Sequence, residues 1–236
     1  MAVDLNKLNL RKESIINLKK EAGIGKNSKA QVVSVVDYSG SMSGLYSNGT
    51  VQDTVERILP LGLAFDDDGS VDSYLFHHSY KELPAIKTEN LEGYVNKEFM
   101  RYEMGMTKYA PVLRAIKDKF TTKTGGFLGF GGKPSIMKYP VYILFIVDGG
   151  NDDRAETEQV IREMSELGFF IQFIGVGNAS FAFLEKLDDL SGRKLDNANF
   201  FKVSDIRQMS DDQLYKGLMT EYPGWLIQAK DAGLVE

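Results

Sequence analysis

The sequence predicts an α/β fold: a doubly wound, mostly parallel central sheet flanked by helices, with one antiparallel edge strand. Short β-branched or continuously apolar runs at 31–36, 139–147 and 169–176 have the composition of strands covered on both faces. Amphipathic helical patterns separate these runs, clearest at 50–65 and 154–167. Strands that alternate with helices need crossover connections, and these bring successive strands back parallel.

The 236 residues are 43% hydrophobic and 11% aromatic, ample for a packed core, and no shift in composition demands a second globular unit. A net charge of −5 lacks the basic footprint of a nucleic-acid or anionic-membrane binder. With no cysteine, disulfide frameworks, thiolate nucleophiles and Cys-based zinc sites are excluded. The first residues lack a basic start followed by an apolar core, and no later run approaches the roughly 18 apolar residues of a membrane span. The expectation is a cytoplasmic protein.

In chain order, residues 4–20 predict a short turn and then an amphipathic helix from about Lys12, stopped by Gly23 and Gly25. Residues 31–36 form the first buried strand, and Asn48-Gly49 a turn. Residues 50–65 form a helix whose Pro60 predicts a kink or break. Asp66-Asp67-Asp68-Gly69 reads as a solvated turn, 71–76 as a strand, and 80–83 as its returning neighbour. A weaker helical pattern lies at 91–101, and Pro111 suits the first turn of a strong helix over 112–120. The glycine-rich stretch within 124–135 reads as a projecting loop or flexible flap. The central strand 139–147 follows, then a helix over 154–167 closed by Gly168 and a strand over 169–176. A helix over 181–190, a strand over 199–203 and a helix over 211–229, interrupted at Pro223-Gly224, complete the chain.

The first strand spills into Asp37-Tyr38-Ser39-Gly40-Ser41, hard oxygen donors at alternate positions with a glycine that lets the backbone curl. Such donors suit Mg²⁺, Ca²⁺ or Mn²⁺ better than softer metals. Thr107, before Tyr109-Ala110-Pro111, and Asp148, after the central strand, also lie where a strand or loop meets the next helix. Two carboxylates and three hydroxyls can fill most of an octahedral shell if the strand ends are neighbours at the switch point of the sheet.

Taken together, Asp37-Tyr-Ser39-Gly-Ser41, the isolated Thr107 and Val147-Asp148-Gly149 resemble the three parts of the metal-ion-dependent adhesion site (MIDAS) of von Willebrand factor A (vWA) domains. The resemblance runs from about Gln31 to the end of the chain. It implies an N-terminal helical extension over 1–30 and a vWA domain over 31–236. The Met-Thr-Lys-Tyr-Ala-Pro-Val-Leu segment, the glycine-rich insert and the Trp225-bearing tail resemble bacterial vWA proteins of the tellurium and toxic-ion resistance group. Val147 stands where many members have Thr, and Met104-Gly105-Met106 where a Gly-Gly pair is commoner. In such domains Ser39 and Ser41 would bind the ion directly, Asp37 and Asp148 directly or through water, and Thr107 would move on or off the ion. Mg²⁺ is the implied ion, with Ca²⁺ or Mn²⁺ as substitutes, and an acidic side chain from a protein partner completes the shell. That partner could be another tellurium-resistance protein; neither nucleic acid nor membrane insertion is implied, and the implied activity is binding rather than catalysis.

Other roles are open to the same residues. Asp37 and Ser39 suit an ordinary turn, Thr107 a helix cap, and Asp152 and Asp153 the positive end of the following helix. His77 and His78, adjacent on a strand, would point to opposite faces and could not readily share a metal. The glycine-rich insert misses the spacing of a phosphate loop, since Lys133 precedes Pro134, and Gly175-Val176-Gly177 lacks the third glycine of a dinucleotide fingerprint. A Mg²⁺-dependent phosphoester or nucleotide hydrolase using Asp37 and Asp148 is the rival function. It is weakened by Ser39, which stands where a phosphatase would need a second carboxylate.

Overall fold

A computed structural model describes residues 4–65, 69–123 and 136–236, so the expected Asp66–Asp68 turn and the glycine-rich insert lie outside the described residues. The elements are α1 (Leu5–Glu21), β1 (Gln31–Asp37), α2 (Ser43–Ser47), α3 (Thr50–Phe65), β2 (Ser70–Phe76), β3 (Tyr80–Lys87), α4 (Tyr94–Glu98) and α5 (Ala110–Lys123). They continue with β4 (Val141–Val147), α6 (Arg154–Met164), β5 (Phe169–Val176), α7 (Ala182–Asp188), β6 (Ala198–Val203), α8 (Asp211–Leu218) and α9 (Tyr222–Asp231).

The six strands form one sheet in the order β3-β2-β1-β4-β5-β6, parallel throughout except for the antiparallel β2–β3 edge pair. The chain builds outward from β1 to β3 on one side, then from β4 to β6 on the other. The switch point, where crossovers diverge and open a crevice at the carboxyl ends of the strands, therefore falls between β1 and β4. Register places Val36 beside Leu75 on one side and Ile146 on the other. Every residue of β4 and β5 is buried, as their unbroken apolar runs require.

Strand periodicity assigns the two faces. Tyr142 and its neighbour Phe170 meet Phe65 of α3 and Tyr222 and Trp225 of α9. Phe145 and its neighbour Phe173 point the other way, to Tyr109 at the start of α5, with Phe76 and Phe183 completing that cluster. Gly62 of α3 lies so close to β2 that an added Cβ would fall 2.2 Å from Val71 Cγ2. Gly62→Ala should accordingly cost about 1–3 kcal/mol of overpacking, read as a lower denaturant midpoint.

Several local expectations change. α1 is one helix from Leu5, because Asp4 accepts from the Lys7 amide and caps it. Its Arg11 pairs with Asp211 at 2.8 Å, and its wholly buried Lys19 donates to the carbonyls of Ser28 and Ala64. Lys19 therefore ties the end of α3, at Ala64, to the segment before β1, at Ser28. Pro60 does not break α3: the helix is continuous, and Pro60 is buried within it. The predicted 91–101 helix shrinks to α4. The final helix divides before Tyr222, not at Pro223-Gly224, since Pro223 occupies the first turn of α9, where its missing N–H costs nothing. Among the described residues no helix is long and apolar enough to cross a membrane.

Candidate metal centre

β1 ends at Asp37, whose side chain is fully buried. Its Oδ1 accepts the Ser39 amide at 2.8 Å, which turns the chain, and the Tyr46 hydroxyl donates to its carbonyl at 2.6 Å. The Ser39 and Ser41 hydroxyls then face each other 3.0 Å apart at the entrance to a short 3₁₀ turn, with Ser39 buried and Ser41 exposed. Asp37 Oδ2 is buried and has no hydrogen-bond partner among the described residues.

Asp148 leaves β4, the strand beside β1, so the two carboxylates come off adjacent strands at the switch point. Burial raises the Asp37 pKa to about 7, and the Asp148 charge adds to the rise against the opposing hydrogen bond from Ser39. A buried carboxylate with one idle oxygen, its charge opposed by Asp148, fits a cation site better than an ordinary turn. Gly149 makes the Asp148 loop feasible: its φ is +107°, and a Cβ there would lie 2.6 Å from the Ser180 carbonyl oxygen.

The Thr107 segment is tied to both loops. Gly105 donates to the Tyr38 carbonyl at 3.2 Å and accepts from the Gly40 amide at 3.3 Å. On the other side, the Thr107 amide donates to Asp152 Oδ2 at 2.9 Å, and the Asp152 amide returns a bond to the Thr107 carbonyl at 2.7 Å. A Cβ on Gly150 would stand 3.6 Å from Thr107 Oγ1, so the hydroxyl lies against the loop that begins at Asp148.

Asp153 was expected to favour the start of α6, but its carboxylate makes no cap there. It accepts instead from the Tyr109 and Ala110 amides, both at 3.0 Å, and from the Thr157 hydroxyl at 2.9 Å. Asp153 thus caps α5, the role the sequence left open for Thr107, and Thr107 is free of it. Asp152 and Asp153 are the functional residues sequence reasoning undervalued: acidic residues before a helix suggest that helix, and nothing in their spacing points across the sheet edge to another.

The histidines also depart from expectation. β2 ends at Phe76, so strand alternation no longer governs His77 and His78, and their rings pack 4.3 Å apart. They wall the Thr107 segment: the His77 carbonyl accepts the Lys108 amide at 3.0 Å, and a Cβ on Gly105 would meet His78 Nδ1 at 2.8 Å. No group of three or more His, Cys, Asp or Glu suited to a metal occurs among the described residues. A cation here would depend on hydroxyls as much as on carboxylates.

A family model described as vWA-TerF-like, a vWA found in the TerF C terminus, matches residues 29–235. The chain belongs to this family. The uncharacterized protein YcbR of Bacillus subtilis (strain 168) is 38% identical over 210 residues, covering 87% of this vWA chain and 81% of its own. Solved structures share the fold at low identity. Proximal thread matrix protein 1 from the mussel byssus matches with TM-score 0.56 at 16% identity over 82% of this chain. The chain spans about half of that mussel protein, 48% of its length. A form of it described as having a zinc-occupied MIDAS motif matches with TM-score 0.54, at 16% identity over 82% of this chain and 48% of the other. Manganese-loaded TRAP protein of Plasmodium vivax matches with TM-score 0.52, at 12% identity over 75% of this chain and 69% of the other.

Proposed function

We propose that Asp37, Ser39, Ser41, Thr107 and Asp148 hold one divalent cation, Mg²⁺ by preference with Mn²⁺ or Ca²⁺ as substitutes, and that the protein is a cation-dependent binding module. The idle, buried Oδ2 of Asp37 beside Asp148 and the paired serine hydroxyls carries this reading. Where neutral hydroxyls make the direct contacts and the carboxylates act through water, the ion keeps residual positive charge and attracts an acidic side chain from a protein partner. The zinc and manganese sites named for the mussel and Plasmodium proteins support a divalent ion. The TerF-like family name supports a place in a tellurium or chemical-stress system, and we place the protein in the cytoplasm, with other proteins of that system as its partners. Catalysis is disfavoured by the complete burial of Asp37, which leaves its carboxylate badly placed to attack a phosphoester.

Calorimetric titration with Mn²⁺ tests the reading: wild type should bind one ion, and Asp37→Ala none. Asp37-dependent turnover of generic phosphoesters would instead favour hydrolysis. The link between Thr107 and Asp152 adds a second expectation. Asp152→Ala should weaken Mn²⁺ binding by about tenfold or more, as loss of an outer-shell partner does, while Asp152→Asn, which keeps an acceptor for the Thr107 amide, should bind nearly as wild type.

A further inference from the structure

A cleft of about 860 Å³ opens on the same edge of the sheet as the metal centre. Its walls come from α2, from the carboxyl ends of β5 and β6, and from one side of α8. This is the edge at which open α/β sheets receive ligands. The cleft and the metal centre share structure. Leu45, on its wall, follows Ser41 by four residues and touches the Gly177 turn, where an added Cβ would lie 4.0 Å from Leu45 Cδ1. The loop after Gly177 runs on to Phe181, whose ring packs against Gly149 beside Asp148.

Apolar and basic groups line this cleft together. Leu45, Phe201 and Met209 supply the apolar part, and Lys202, Arg207 and Lys216 the cations, against one lining carboxylate, Asp205. On a chain of net charge −5 this is a local reversal of sign. Lys202 is exposed, forms no ion pair among the described residues, and holds its ammonium 5.5 Å over the Phe181 ring, which also borders the metal loop. Lys216 pairs with Asp212 through a contact exposed on both sides, and such pairs contribute little. Arg207 is held by the partly exposed Asp205 and by the Asn48 carbonyl, so it adds positive charge to the wall from a fixed position.

We infer that the cleft is the docking groove for an acidic, partly apolar segment of the partner protein. One carboxylate of that segment reaches the cation, and further carboxylates lie along Lys202, Arg207 and Lys216. The inference rests on the cation-dependent reading above and adds what that reading leaves open: the chemistry of the partner beyond the single residue at the ion. Charge complementarity favours an acidic segment over an apolar helix, which would leave three ammonium or guanidinium groups facing apolar surface.

The test uses the full chain, saturating Mn²⁺ and a fluorescent peptide of six consecutive glutamates flanked by leucines, with its all-glutamine counterpart as control. Anisotropy should show tighter binding of the glutamate peptide, weakened by added salt. The double variant Lys202→Gln, Lys216→Gln should bind it about tenfold less tightly, as expected for lost complementary charge. Its Mn²⁺ affinity, measured without peptide, should match wild type, and both lysines are exposed, so folding is not at stake. Equal binding of the two peptides, or equal glutamate-peptide affinity in the variant and a Mn²⁺-loaded wild type, would overturn the groove while leaving the cation site standing. Failure of wild type to bind Mn²⁺ at all would overturn the cation reading and this inference with it.

Discussion

In EDTA at pH 8, Asp37→Asn is expected to unfold at a higher temperature than wild type, although it removes a residue proposed to be essential for function. The Asp37 carboxyl titrates near 7 in the fold against an ordinary 3.8. Between those values the folded chain holds a proton that the unfolded chain has released, so stability falls as pH rises through this window, and the whole deficit is present above pH 7. For a fully buried carboxylate that deficit is on the order of 4 kcal/mol, or roughly 10 °C in a chain of this size. Asparagine keeps the acceptor for the Ser39 amide and removes the charge that opposes Asp148. The gap between variant and wild type should close as the pH falls towards 4, where both carry a neutral group. Mn²⁺ should narrow the gap: an ion at a hundred times its dissociation constant adds about 2.7 kcal/mol to wild type and nothing to a variant that cannot bind it, and about a thousand times that constant is needed to bring the two level. Thermal scans of both proteins across pH, with and without Mn²⁺, read all of this. Lower stability of Asp37→Asn at pH 8 in EDTA would show that the carboxylate is compensated without a metal.

Asp153→Ala is expected to be among the most damaging single changes at this edge of the sheet. Its carboxylate satisfies the amides of Tyr109, just before α5, and of Ala110, its first residue, and both residues are buried. Deleting it strands two buried donors, each at about 1–3 kcal/mol, so a loss of roughly 3 kcal/mol or more is expected, or on the order of 6–12 °C. The damage should also reach the metal centre. Tyr109 anchors the Thr107 segment through its ring, packed among Phe76, Phe145, Phe173 and Phe183. Loosening the start of α5 therefore frees Thr107, and Mn²⁺ affinity should fall together with the melting temperature. Asp153→Asn, which keeps one acceptor oxygen, should lose less of both. Denaturant titration and Mn²⁺ calorimetry on the two variants would check this; an unchanged melting temperature for Asp153→Ala would contradict it.

The resemblance to the vWA pattern implies a Thr107 that moves on and off the ion, whereas in the structure its amide donates to the Asp152 carboxylate, its carbonyl accepts the Asp152 amide, and Asp153 holds the Tyr109 and Ala110 amides just after it. The strand-end positions of Asp37 and Asp148 were legible in the sequence because strand ends advertise themselves: an apolar run that stops at an aspartate marks the carboxyl edge of a sheet. The fold was legible for the same reason, in the β-branched runs of β1, β4 and β5. What stayed hidden depends on where a polar side chain reaches once two loops meet. Asp153 read as a cap for the helix after it because local spacing carries no information on α5. The burial of Lys19 has no local signal either, because its partners, the carbonyls of Ser28 and Ala64, are backbone atoms brought near by packing. His77 and His78 read as opposed because strand alternation was extended past Phe76, where the ladder stops.

A crystal of the protein soaked in Mn²⁺, with diffraction recorded near the manganese absorption edge, would test the central claim most directly. The account predicts one anomalous peak between the Ser39 and Ser41 hydroxyls, with Asp37, Asp148 and Thr107 oxygens around it directly or through water. A peak elsewhere on the molecule, or none at this edge of the sheet in a crystal whose site is open to solvent, would contradict it.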